Sequence, residues 1–415
     1  MKRSVLVILA VAVLLLSCTF QVLAASQVTI RLMDKHLTEE PHATITKEMV
    51  AEFEKLHPNI KVILEPVREV DKIEKFMISF QAGVAPDVYK LTTELPTLVS
   101  RNMLMPMDNL IKAEGPAFIK TYYPAAMGAN MLNKKVYAMP QSNSLYGMFY
   151  NTEMFKNAGL SGPPATWSEF LTASKKLTRD INGDGLPDQW GFALAGATAS
   201  ATQRFSCWLY SNDGDYLKLG DARGRETFKF VTELATVHKV VPPGAVSSGY
   251  NEIRLAFSHE RAAMIQAGSF LRDTVVSDNP AMKDKFWVAP QPKNKGKGGT
   301  WSTLTSYAIS SRCKNPKEAW ELIKFITNKN NQIKWAKGTG FVVTNRLAAE
   351  SPELMNDPYQ KIFLDMAPVA KPYPMITQIP QLIDVVVAEI QQALLGKKTP
   401  DQAAKDAGQR IAALK

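Results

Sequence analysis

At 415 residues and 46% hydrophobic composition, the chain can bury a large core, and its length suggests two or three domains. Lys and Arg total 49 against 39 acidic residues, a net of +10, but the excess is spread out, and no basic stripe with interleaved aromatics argues for nucleic acid. The five histidines, His36, His42, His57, His238 and His259, lack metal-ligand spacing, and no Gly-x-Ser-x-Gly, P-loop or Cys-x-x-Cys marks a catalytic centre.

The N-terminus reads as a secretion signal. Lys2-Arg3 precede an apolar run from Val5 to Leu16 that is too short for a typical membrane span. Two endings compete. Leu15-Leu16-Ser17-Cys18 resembles a lipobox, with a signal of 1–17 and an acylated Cys18 as membrane anchor. Val22-Leu23-Ala24 fits the ordinary small-residue site, with a signal of 1–24 and a soluble product. Either cut removes two bases and no acid, leaving 47 − 39 = +8. In such an oxidising compartment Cys207 and Cys313 could pair, although Cys207 lies in an apolar run and reads as a buried thiol.

Gln27 to Leu32 alternates as a first strand. Ile45 to Leu56 is an amphipathic helix, Ile60 to Leu64 a second strand, Val70 to Gln81 a second helix and Asp87 to Leu91 a third strand. This β-α-β-α-β order implies a parallel or mixed sheet with right-handed crossovers, whose ligands sit beyond the carboxyl ends of the strands. Asp34, Lys35 and His36, and Thr92, Thr93 and Glu94, fall at that rim.

Phe149-Tyr150 end a buried strand. Thr166 offers an N-cap oxygen with Glu169 as capping-box partner, and Trp167, Phe170, Ala173 and Leu177 follow at helical spacing. The stretch Asp180-Ile181-Asn182-Gly183-Asp184-Gly185-Leu186-Pro187-Asp188 places oxygens at alternate positions, as an EF-hand loop does. Asp180, Asn182 and Asp184 would supply side chains, Leu186 a carbonyl, and Asp188 a side chain or a water. Gly191 stands where the bidentate Glu belongs. The two readings are a structural Ca²⁺ site and a solvated, Asx-turn-rich surface loop.

Phe205 to Leu217 reads as a helix that runs into an Asn-Asp-Gly-Asp turn, Phe228 to Val237 as a further helix, and Ala262 to Gln266 as a strand. Leu304 to Ser310 is a further strand, and Pro316 opens a helix. Lys371 to Pro380 is a proline-containing connection, followed by closing helices at Ile383–Leu394 and Pro400–Leu414.

The ordered set resembles the family 1 extracellular solute-binding proteins of bacterial ABC importers, the maltose-binding-protein class, over about residues 27 to 412. Its carriers are Phe53-x-x-x-His57-Pro58-Asn59-Ile60, Gly83-x-x-Pro86-Asp87-Val88, Leu104-x-Pro106-Met107, Val136 to Pro140, Tyr150-Asn151, Ala158-Gly159-Leu160, Pro164 to Phe170, Gly191-Phe192 and Pro316 to Phe325. After Gly340 the chain departs from the family's Leu-Pro pattern. The resemblance implies an α/β, two-lobed fold with the ligand cleft between lobes joined by crossover hinges. Residues 25–147 and 303–350 would form one lobe, and 148–302 and 351–415 the other.

Carried over by position, Asp34, Lys35, Thr93 and Glu94 face the ligand from the first lobe, and Ser144 from the crossing segment. Phe270 takes the place of the family's sugar-stacking aromatic, most often Trp. Trp301, beside Gly299 and Ser302 just before a crossover strand, is the strongest stacking candidate, whereas Trp208 and Trp320 read as core. Arg204 also approaches the cleft. With Lys35 it could bind an anionic substrate such as a sugar phosphate or uronate. The implied function is capture of a mono- or oligosaccharide and delivery to the transmembrane subunits of an importer, by a monomer that needs no cofactor. The alternatives are another solute (glycerol phosphate, a sugar acid, an oligopeptide) and a carbohydrate-active enzyme using a carboxylate pair such as Asp34 and Glu94.

Overall fold

The structure is a computed structural model that describes residues 27–69 and 71–414. The secretion signal and Cys18 lie outside the described residues. Strand β1 (Val28–Asp34) pairs in parallel with β2 (Ile60–Pro66) and β3 (Val88–Leu91), and helices α1 (His42–Leu56) and α2 (Lys72–Gln81) make the crossovers. Ile30 and Leu32 of β1 are fully buried and pack with Met49 and Phe53 of α1. α1 starts at His42, one turn ahead of the apolar repeat, and Glu40 accepts the backbone N–H of Thr44 in that first turn.

Two long strands join the lobes. β4 (Ala138–Asn151) pairs over its first half with β7 (Thr300–Ile309), from Ala138 opposite Ala308 to Leu145 opposite Ser302. Its second half pairs instead with β5 (Met264–Gly268) and β6 (Phe286–Ala289). β7 behaves likewise. Its C-terminal half lies against β3, and its first residues lie against the short strand β8 (Ala370–Lys371). Each strand thus belongs to both lobes, and the exchange falls near Ser144 and Thr303. β7 starts at Thr300, earlier than its apolar residues announce.

The apolar core divides accordingly. In the first lobe Ile30, Phe53, Val88, Met139, Tyr307, Trp320 and Trp335 share one cluster. In the second, α3 (Trp167–Leu177), α4 (Thr198–Ser211) and α5 (Ala222–Thr236) pack with the closing helices Ile379–Leu394 and Pro400–Ala412, around Phe170, Trp208, Phe228 and Leu382. The expected capping box is present at α3: Glu169 N donates to Thr166 Oγ1, and Thr166 N donates back to Glu169. α4 ends at Ser211 in the expected Asn-Asp-Gly-Asp turn, where Asp213 is left-handed at φ +55° and Asp215 caps a separate 3₁₀ turn. Trp208 and Trp320 are buried, and Cys207 and Cys313 are both free thiols, with Cys207 buried.

Candidate functional site

At the first-lobe rim, Asp34 ends β1 and is fully buried. Its Oδ1 accepts the backbone N–H of His36, which starts the turn Lys35–Thr38. Its Oδ2 accepts from Lys90 Nζ at 3.2 Å and from Tyr307 OH at 2.8 Å. Burial pulls the Lys90 ammonium down to about 8 while Asp34 opposes that shift. Beside this pair, the rings of His36 and His42 stack at 4.8 Å, enclosed by Trp335 and Phe341. Burial, then Lys90, holds the His42 imidazole down at about 4 and His36 well below its ordinary value, so both are neutral at pH 7.

A second charged group follows β3. Glu94 accepts the backbone N–H of Thr92 at 2.7 Å and pairs with buried Lys72 at 2.8 Å. Glu69 also pairs with Lys72, and with Lys35 at 2.8 Å. Asp34, Lys35 and Glu94 therefore hold one another's neighbours. Their charges are each paired within the first lobe. Thr93 and Ser302 line a narrow cavity with Asn130 and Trp301.

From the second lobe come Tyr146 on β4, Arg204 on α4, Tyr250 at the start of helix α6 (Tyr250–Ser258), and Phe270 just after β5. Phe270 lies 6.5 Å from Tyr146 and 6.1 Å from Tyr250, and reaches across to Phe341 of the first lobe at 5.9 Å. Gly268 permits this placement: a Cβ there would run into the Phe270 ring and Ser144 Oγ. Gly340, at φ +73°, ends the helix of Trp335 in the left-handed conformation and turns the chain into Phe341.

Where the lobes meet, buried polar atoms have no hydrogen-bond partner. They include both amide atoms of Gln141, Asn143 Oδ1, Ser144 Oγ, Ser306 Oγ, Trp335 Nε1, Arg204 Nη2 and Gln266 Oε1. Gln141 is the extra residue of a β-bulge between Pro140 and Ser142, which takes its side chain out of the ladder's alternation. Native interiors satisfy nearly all buried polar groups. The unpartnered groups near this seam, together with its aromatic rings, suit a hydroxyl-rich ligand with apolar faces.

Trp301 stands differently from Phe270. It is 2% exposed and packs edge-on to Tyr146 at 4.7 Å within the second-lobe core, with Tyr373 on its other side. The structure also brings His42, Lys90, Tyr250, Trp335 and Phe341 to the seam, none of which the sequence singled out as a site. The one local signal was a lysine inside the buried strand Val88-Tyr89-Lys90-Leu91, which must find a partner.

The acidic loop is on the surface of the second lobe. Asp180 accepts from the backbone of Gly183 and Gly185, Asn182 from Asp184, Asp184 from Leu186, and Asp188 from Ile181 and Asn182. Among the described residues no group of three or more His, Cys, Asp or Glu side chains is placed to hold a metal ion, and in this conformation the loop's side-chain oxygens turn to its own backbone N–H groups. They form a run of Asx turns.

No helix among the described residues is long and apolar enough to cross a membrane. The two-lobed architecture recurs in known proteins. A solute-binding protein of an ABC transporter from Thermotoga lettingae, solved with α-D-tagatose, superposes with a TM-score of 0.80 at 26% identity, covering 93% of this chain and 99% of that one. A maltose-bound protein of T. maritima shares the fold with a TM-score of 0.80 at 22% identity, covering 94% and 100% of the two chains. A galactooligosaccharide-binding protein of Bacillus subtilis is 24% identical over 374 residues, 88% of this chain and 85% of that protein. Residues 38–333 match the model of the bacterial extracellular solute-binding proteins, and with more than half of its length matched the chain belongs to that family.

Proposed function

We propose that the chain is the extracytoplasmic solute-binding component of an ABC importer, and that it captures a carbohydrate between its lobes and presents it to the transmembrane subunits. The observation that carries this reading is the seam itself: unpartnered Gln141, Asn143, Ser144 and Gln266 alternate there with the rings of Phe270, Phe341 and Tyr250. A sugar offers hydroxyls to the first set and C–H faces to the second. The relatives named for tagatose and galactooligosaccharides support the same ligand class. β4 and β7 each run through both lobes, so small changes near Ser144 and Thr303 would swing one lobe against the other as a hinge. We read the protein as a monomeric binder without turnover or cofactor, working on the outer side of the cytoplasmic membrane, either free or anchored through Cys18.

The test is a thermal-shift screen of saccharides, polyols, sugar acids and peptides, with product analysis of any sugar that binds. A ligand that binds only the folded state raises the melting temperature. The proposal requires a saccharide to do so and to be recovered unchanged. A shift with peptides and with no saccharide would refute it, and cleavage of a bound glycoside would make the protein an enzyme.

A further inference from the structure

The seam contains a cation without a counter-charge. Arg204 is 2% exposed. Its Nε donates to the Gln266 carbonyl at 3.2 Å, and its Nη1 donates to the Ser200 carbonyl at 3.4 Å and Gln203 Oε1 at 3.1 Å. Its Nη2 has no partner. The guanidinium lies 5.3 Å from the Tyr146 ring and 5.1 Å from the Tyr250 ring. The neighbouring cations are all paired: Lys90 with Asp34, Lys72 with Glu94 and Glu69, Lys35 with Glu69, and Arg254 with Asp278. Among the described residues Arg204 has no carboxylate within ion-pair distance.

A buried, uncompensated charge is costly, and a guanidinium cannot escape the cost by losing its proton. Cation–π contact with two tyrosines offsets part of it. The free Nη2 edge is half of the planar fork that receives a carboxylate or phosphate. The Tyr250 hydroxyl, also unpartnered, belongs to a ring against which Arg204 lies. We propose that the saccharide is acidic, and that its carboxylate or phosphate pairs with Arg204 while its ring contacts Phe270. This rests on the saccharide reading above and adds the charge of the ligand.

The experiment is calorimetric titration of the full folded chain with matched probes in the glucose and galactose series. These are the neutral sugar, its uronate, the uronate methyl ester and the 6-phosphate, each as the free sugar and, for the first three, as the disaccharide. A charge-assisted hydrogen bond to a buried partner predicts that one acid binds about 10- to 100-fold tighter than its neutral and esterified counterparts. Whether uronate or phosphate wins identifies the source of the anion. Arg204→Gln should bring that ratio close to one. Neutral sugars binding as tightly as the acids, or a ratio unchanged by Arg204→Gln, would overturn the proposal and leave the saccharide reading standing. Binding by no saccharide of either kind would remove both. Should Arg204→Gln fail to fold, the acid-to-ester ratio of the wild type and the ratio in Arg204→Lys still decide.

Discussion

Phe270 of the second lobe and Phe341 of the first lie 5.9 Å apart with their planes tilted by 30°, so one aromatic contact bridges the cleft. Around it the first lobe contributes neutral, ring-shaped groups, and its charges are paired beneath them. The second lobe contributes Arg204. Both lobes thus contribute aromatic rings to the seam, and the unpaired guanidinium comes from the second.

The Asp34–Lys90 pair should act on stability. Removing one member of a buried pair leaves the other uncompensated and costs about 3–5 kcal/mol. Asp34→Ala should lower urea-unfolding stability by that order, and Asp34→Asn with Lys90→Met should cost less than Asp34→Ala alone. Unchanged unfolding of Asp34→Ala with lost ligand affinity would make Asp34 a direct ligand group instead.

Acid should loosen the first lobe through the stacked histidines. In the unfolded chain His42 protonates near 6.5, and in the fold it resists to about 4. The unfolded state thus takes up more protons between these values, and stability falls as pH drops from 6.5 to 4. For His42 alone this amounts to about 2–3 kcal/mol. Melting followed from pH 7 to 4.5 should show the loss, and His42→Gln should flatten it. Parallel curves for variant and wild type would contradict the burial argument.

Trp301 should prove structural first. Its side chain is enclosed by Tyr146 and Tyr373, and replacing a buried Trp with Ala costs about 3–5 kcal/mol. Equilibrium unfolding of Trp301→Ala checks this, and wild-type stability with reduced affinity would move the ring to the cleft surface. Gly268→Ala tests the same wall from the other side. Its methyl group must displace Phe270 or Ser144, so ligand affinity should fall by about tenfold, the order of a 1–2 kcal/mol overpacking cost.

The Asp180–Asp188 loop is closed by its own hydrogen bonds to backbone N–H groups. Calorimetric melting should be the same with Ca²⁺ and with chelator, and Asp184→Asn should respond alike in both. A melting temperature that rises with Ca²⁺ would show that the loop rearranges into a metal site.

Much of the fold was legible because the signals were local. Ile30 and Leu32 alternate, Trp167, Phe170 and Leu177 repeat at helical spacing, and Thr166 with Glu169 marks a helix start. The extensions that sequence reading missed are mostly polar: the first turns of α4, Thr198 to Gln203, and the first residues of β7, Thr300 to Thr303. These take their structure from tertiary partners such as β8 and the closing helix Ile379–Leu394, and not from periodicity. The candidate site was legible only in part. Arg204, Ser144 and Phe270 could be placed by position along the chain. His42, Trp335 and Phe341 come from distant segments, and each read alone is an ordinary helix or core residue. Only the tertiary folding of the first lobe makes them neighbours.

The central claim is that the ligand sits at this seam. The most direct measurement is the crystal structure of the protein with the saccharide that the titrations select. The account predicts a sugar ring against Phe270 and Phe341, its hydroxyls within hydrogen-bond distance of Gln141, Asn143 or Gln266, and its anionic group on Arg204. A saccharide bound elsewhere on the molecule, with these groups making no contact to it, would contradict the account.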